Sequence, residues 1–233
     1  MRTRAGEAVY RAALFTLPPA LAFLYIVSLL PVMTAEEWYL VVVLGMAVYL
    51  FAPVGTELVI PVVVIGLQAF HASNAVIVLG IASIVLVDVF TALFFLWNWD
   101  LVEQIPLLGR AIRRVEDKCR RVIARKKWAE GATLTALAAY VALPVQMTGG
   151  LFGSVLGRVM GLDKLKVFVA VTAGSLAGAV PMGAVAWLVG KPVLDALQSA
   201  SARTIGAVAG ILITAAFVGA VVFLYWRGKR NVD

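Results

Sequence analysis

The sequence has one cysteine, Cys119, and one histidine, His71. A lone cysteine closes no disulfide within the chain. No His/Cys/carboxylate cluster has the spacing of a metal site, and none of the G-x-S-x-G, P-loop or dinucleotide-binding patterns occurs. The reading is therefore no enzyme, no cofactor and no metal. Charge is also scarce. Charged residues make up 14% of the 233 positions, where a soluble domain carries about a quarter.

Apolar residues fill that space, at 62% of the chain, with a mean hydropathy of +0.96. They run in long stretches rather than in alternation, which indicates an all-α integral membrane protein and not a barrel. The net charge of +7 raises the question of nucleic acid. The basic residues flank apolar runs, so a membrane surface explains them and no nucleic acid is expected. Membrane lipids are the expected partners; self-association is left open.

The chain opens on a basic stretch, Met1 to Arg11, followed by Ala12 to Leu30. No small-residue cleavage site follows a short core, so this is an uncleaved first span, kinked or restarted at Pro18-Pro19. Trp38 to Ala52 is apolar but reaches only about 22 Å as a helix, short of the roughly 30 Å hydrocarbon core. It ends in Phe51-Ala-Pro-Val-Gly-Thr-Glu-Leu-Val-Ile-Pro61. Pro53 and Pro61 lack a backbone donor and Gly55 is free to turn, so the helix breaks near Ala52. Glu57 then lies at membrane depth, where a charge costs about 2.5–3.5 kcal/mol on insertion scales. A broken backbone there must be buried in protein or line a water-filled cavity. Leu58 to Phe70 is shorter still. The reading is a re-entrant helical hairpin over about residues 38–70; the alternative is a proline-kinked spanning helix. After a turn at His71 to Asn74, Ala75 to Trp97 is a full span containing Asp88, with Trp97 and Trp99 as interfacial anchors.

Residues 100–130 form a basic amphipathic segment. Leu108, Ile112, Val115, Cys119 and Val122 make one apolar stripe, and Arg113, Arg114, Arg120 and Arg121 are candidate contacts to anionic lipid. A solvated basic helix packed on its own protein fits equally. Gly131 to Leu143 is another short arm. Pro144-Val-Gln-Met-Thr-Gly-Gly150 breaks it and Leu151 to Met160 returns, a second hairpin over about residues 131–160. Lys164 to Val189 is a full span whose Gly174, Gly178 and Gly183 allow close helix packing. Lys191 to Arg203 reads as a loop or short surface helix, and Ile205 to Trp226 as the last of four full spans.

The order of elements is thus 38–99 as a first repeat, 100–130 as a cytoplasmic basic helix, 131–190 as a second, inverted repeat, and 204–226 as a C-terminal span, all in one transmembrane domain 1–233. With both termini cytoplasmic in the cell membrane, every one of the 20 Lys and Arg except Lys191 and Arg203 falls on the inner side. Pro53 precedes Glu57 by four residues, as Pro144 precedes Thr148. Inverted repeats with broken helices place a transport site at the midplane.

Residues 53–61 resemble the P-x-P-x-E-x-x-x-P motif of the DedA (VTT-domain) superfamily, and Asp88 falls where that superfamily carries an acidic residue. Tyr140-x-x-x-Pro144 and Pro144-Val-Gln-Met-Thr-Gly-Gly-Leu-Phe-Gly153 are more similar to the P-L-P-x-T-G-A-W-T-G of the small multidrug export relatives; Phe168 and Gly174 fit the shared pattern. The resemblance covers roughly residues 40–190. Gly55 and Gln146 stand where the motifs have proline, and Ala142, Gln146 and Met147 occupy the region where many DedA proteins carry arginines. The resemblance implies a transporter or scramblase of lipid headgroups, phospholipid or polyisoprenyl phosphate, with proton coupling in some members. The alternative is an exporter of small solutes or cationic drugs. A membrane enzyme on lipids lacks a catalytic constellation here, and a non-transporting scaffold would leave Glu57 without a role. The candidate transport, proton or headgroup residues are Glu57, Asp88, Pro53, Gly55, Thr56, Pro61, Pro144, Gln146, Thr148, Gly149 and Gly150. Backbone N–H groups near Gly55–Glu57 and Thr148–Gly150 are expected to favour an anion, in place of the missing arginines. Gln68 and His71 are expected to be structural and solvated, respectively.

Overall fold

The computed structural model describes residues 4–51, 55–104, 127–143 and 148–198. Among these there are eight helices and no strand: α1 (Arg4–Ser28), α2 (Glu36–Phe51), α3 (Thr56–Ala69), α4 (Asn74–Trp97), α5 (Trp99–Glu103), α6 (Lys127–Ala142), α7 (Gly150–Val159) and α8 (Lys164–Gln198). Pro53, Pro144, Gln146, Arg113, Arg114, Arg120, Arg121 and the expected span 204–226 lie outside the described residues. The chain divides into two compact units, Met1–Leu188 and Val189–Asp233; every contact given below belongs to the first.

Three described helices are long and apolar enough to cross a membrane, over Val9–Ser28, Asn74–Trp97 and Lys164–Asp195. They carry the large exposed apolar side chains expected of a lipid-facing surface, among them Phe23, Leu24, Val78 and Leu188. The other long arms are shorter. At 1.5 Å per residue, α2, α3 and α6 reach about 21–24 Å and α7 about 15 Å.

Helix α1 runs through Pro18-Pro19 without a restart. A proline at 18 cannot donate to the carbonyl of Leu14, which should leave that oxygen orphaned in apolar surroundings. Asn98 supplies the missing donor: its Nδ2 reaches the Leu14 carbonyl at 3.1 Å and the Phe94 carbonyl at 2.9 Å. A side chain from the end of α4 thus replaces the bond lost at Pro18.

An interruption after α2 is expected near Ala52, and the described residues show it at Gly55, whose extended backbone precedes the start of α3 at Thr56. The two arms fold back on each other. Trp38 Nε1 donates to the Phe70 carbonyl at 2.9 Å. Val41 lies 3.1 Å from where a Cβ on Gly66 would stand, and Val63 fills the corresponding place at Gly45. Each step forward along α2 thus meets a step back along α3. The pair α6 and α7 does the same, with Val141 against Gly153 and Leu137 against Gly157. Left-handed backbone at His71, which is exposed, ends the first pair, and at Gly161 the second.

Two apolar cores result. The first gathers Val42, Ile60, Val64, Leu67, Ile84 and Val87. The second gathers Ala92, Leu96, Leu137, Leu162, Val167 and Val171. Both α4 and α8 run through the two cores. Along α4 the change falls between Val87 and Ala92, and along α8 between Val171 and Ala179. The glycines of α8 pack closely, as expected: Cβ atoms at Gly174 and Gly178 would lie 2.5 and 2.7 Å from the carbonyls of Ala138 and Ala142. Helix α8 also continues past Val189 to Gln198, so the first part of the stretch read as a loop or short surface helix is helical and continuous with the span; Leu194, Ala196 and Leu197 are good helix formers.

Candidate functional site

Asp88 stands at the change between the two cores, 4% exposed. A buried carboxyl needs donors, and it receives three, each from a different element. Tyr49 Oη of α2 donates to Oδ1 at 2.9 Å. The backbone N–H of Gly150, first residue of α7, donates to the same oxygen at 2.6 Å. Ser175 Oγ of α8 donates to Oδ2 at 2.7 Å. The end of the first arm, α2, and the start of the second returning arm, α7, therefore meet on one side chain.

Two glycines make this approach feasible. A Cβ on Gly150 would collide with the backbone of Asp88, and one on Gly149 would stand 2.6 Å from Asp88 Oδ1 and against the Tyr49 hydroxyl. Thr148, buried, closes the break from the other side by donating from Oγ1 to the Leu143 carbonyl at 2.8 Å. Ser154 Oγ donates to the Gly150 carbonyl at 2.6 Å, fixing the first turn of α7.

Glu57 lies in the first turn of α3, half-buried. Its carboxylate folds back over Gly55, into the place a side chain there would occupy. Oε2 is buried without a hydrogen-bond partner, and the group is close enough to act electrostatically on the Tyr49 hydroxyl. Gly55 and Thr56 thus sit at the site as the start of α3. Pro61 lies inside α3 and does not end it. Gln68 is structural, as expected: it is buried and donates from Nε2 to the Trp187 carbonyl at 2.9 Å.

The helix N-termini do not stand empty for an external anion. The N–H of Gly150 is taken by Asp88, and the first turn of α3 carries Glu57. Each positive helix end at the site already has a carboxylate of the chain's own. Among the described residues no group of three His, Cys, Asp or Glu could hold a metal.

Beside the site, a cavity of about 470 Å³ between α4 and α8 is lined by Ile77, Ile81, Val85, Leu176, Val180 and Trp187 among others. It is almost wholly apolar. Val85 lies one turn before Asp88, and Leu176 follows Ser175, so the cavity ends next to the polar cluster.

Sequence reasoning missed Tyr49 and Ser175. The available signal was a hydroxyl within an apolar tract: Tyr49 four residues before Pro53, and Ser175 inside the glycine-rich run read only as packing. It also misplaced Trp99, which is 1% exposed rather than an interfacial anchor. Its indole is covered by Arg158 of α7.

No curated protein and no solved structure matches the chain. One family model matches residues 40–181, more than half of it, and is described as "Putative small multi-drug export protein".

Proposed function

The chain belongs to the small multi-drug export protein family, and from that membership and the site around Asp88 we propose that it is a multi-pass membrane exporter of small solutes or cationic drugs. The observation that carries this reading is the pairing of each helix N-terminus with its own carboxylate, Asp88 on Gly150 and Glu57 on α3. A phosphate entering here would meet two carboxylates. A cation would meet a complementary charge, and the adjoining apolar cavity suits the body of a lipophilic one.

The two carboxyls take different roles. Asp88 has both oxygens engaged and acts as the clamp between α2, α7 and α8. Glu57 keeps Oε2 without a partner and is the group that meets the cation or exchanges a proton for it. The arms α2–α3 and α6–α7 are two re-entrant hairpins of opposite entry, arranged as an inverted repeat around a midplane site. Their shortness and back-folding support this. With the span at 204–226, four full spans place both termini on the cytoplasmic side, in agreement with the distribution of Lys and Arg. The wider kinship with DedA (VTT-domain) proteins belongs to the same proposal. No catalytic step and no cofactor enters it.

A second reading, movement of phospholipid or polyisoprenyl-phosphate headgroups, is favoured by one feature. The apolar cavity is also lined by Val78 and Val180, which are exposed on the apolar surface, so an acyl chain could enter sideways.

Transport in proteoliposomes with an imposed pH gradient separates the two. A cationic dye is followed in one arm and a labelled phospholipid and polyisoprenyl phosphate in another, for wild type and Glu57→Gln. Dye movement reduced at least tenfold by the substitution supports export. Lipid movement alone, lost in the variant, supports the second reading. Background rates for all cargoes in wild type sink both.

A further inference from the structure

Arg158 lies in the last turn of α7 and is 8% exposed, although its place in the sequence is that of a surface cation. Its Nη1 donates to the Leu162 carbonyl at 2.7 Å. Its Nε is buried without a partner. Its Cζ stands 5.7 Å from the ring centre of Trp99, whose own Nε1–H is also buried without an acceptor. No carboxylate among the described residues pairs with Arg158. Of the carboxylates on neighbouring stretches, Asp163 Oδ1 accepts from the Leu165 N–H at 2.9 Å and Glu130 pairs with Lys166 at 2.6 Å.

A buried arginine without a counter-charge, beside a second unsatisfied donor, is costly. The negative end of α7 and the face of Trp99 offset part of that cost. Neither supplies an acceptor to the two orphaned N–H groups. An oxyanion does both, giving acceptors to Nε–H and Nε1–H and a counter-charge to the guanidinium. Lys164 at the start of α8 adds attraction for an anion at this end. Eight residues of α7, about 12 Å, separate Arg158 from Gly150, so this is not the site around Asp88.

We propose that Arg158 and Trp99 form a binding site for a phosphate group, supplied by the headgroup of an anionic membrane lipid. The site does not rest on the export reading. The test uses the full chain purified in detergent. Native mass spectrometry counts phosphatidylglycerol and phosphatidylcholine retained per chain, and thermal unfolding is followed with and without inorganic phosphate. Variants are Arg158→Gln, Arg158→Lys and Trp99→Phe. Expected is a preference for phosphatidylglycerol in wild type that falls at least tenfold in Arg158→Gln and about threefold in Trp99→Phe, which keeps a ring but loses the N–H. Stabilisation by inorganic phosphate that depends on Arg158, without a lipid preference, keeps the phosphate site but overturns the lipid source. Equal lipid preference in wild type and Arg158→Gln overturns the proposal. If Arg158→Gln does not fold, an unchanged preference in both Arg158→Lys and Trp99→Phe overturns it instead.

Discussion

Tyr49 and Gly150 donate to the same oxygen, Asp88 Oδ1, at 2.9 and 2.6 Å. They are 101 residues apart in sequence and belong to different arm pairs. One carboxylate oxygen is thus the contact through which the two breaks hold each other.

Asp88→Ala removes the acceptor and leaves Tyr49, Gly150 and Ser175 each with an unused donor. A buried unsatisfied group costs about 1–3 kcal/mol, so the total is on the order of 3 kcal/mol or more. The expected result is a fall of several degrees in the unfolding temperature in detergent, with export lost. Asp88→Asn should lose less, because its carbonyl can serve Tyr49 and Gly150 while its amide donates to a rotated Ser175 hydroxyl. Equal loss in both variants would contradict this assignment of bonds.

Two glycine-to-alanine substitutions should move in opposite directions. Gly150→Ala drives a methyl into the Asp88 backbone, which cannot yield as a flexible side chain would; poor folding or an export rate down more than tenfold is expected. Gly131→Ala, within α6, meets nothing within 4 Å. It should stabilise by about 0.5–1 kcal/mol through helix propensity alone. Thermal unfolding of the pair checks both signs.

Glu57→Gln should leave stability within about 0.5 kcal/mol of wild type, since Oε2 has no partner to lose. Export of a cation should nonetheless fall at least tenfold. A stable variant with unchanged transport would reduce Glu57 to a structural carboxyl.

Asn98 and Pro18 should be coupled. Asn98→Ala orphans the Leu14 carbonyl at a cost of about 1–3 kcal/mol. Adding Pro18→Ala restores a backbone N–H to that carbonyl and should recover part of the loss. A double-mutant cycle on unfolding free energies measures the coupling, and simple additivity would refute it.

The local pattern of the sequence reached far. The interruption before α3, the short arms, the buried Asp88 and the small residues facing α6 all follow from rules acting within one or two helical turns. What escaped it were partners at a distance. Tyr49 and Ser175 lie 39 and 87 residues from Asp88, and no periodicity names such a pair. Asn98 lies 84 residues from Leu14, so the donor it supplies at Pro18 is invisible to a local reading, which gives a kink or a restart there. The anion expected at Gly150 is real in kind, but the chain provides it itself. Arg158 reads as a surface cation by position, and only packing against Trp99 buries it.

Both α4 and α8 pass from one apolar core to the other, and the change falls beside Asp88 on the first and Ser175 on the second. Apolar interdigitation resists sliding on either side of that plane, whereas at it the grip includes three directional bonds to one carboxyl and the close seating of Gly149 and Gly150 on Asp88. The molecule therefore has a seam. Among the described residues, load between its halves travels through the backbones of α4 and α8, through α1, which bonds to α4 at Ser83 and at Asn98, and through the latch at Asp88. Loosening that latch changes how stiffly the halves are joined without unpacking either one.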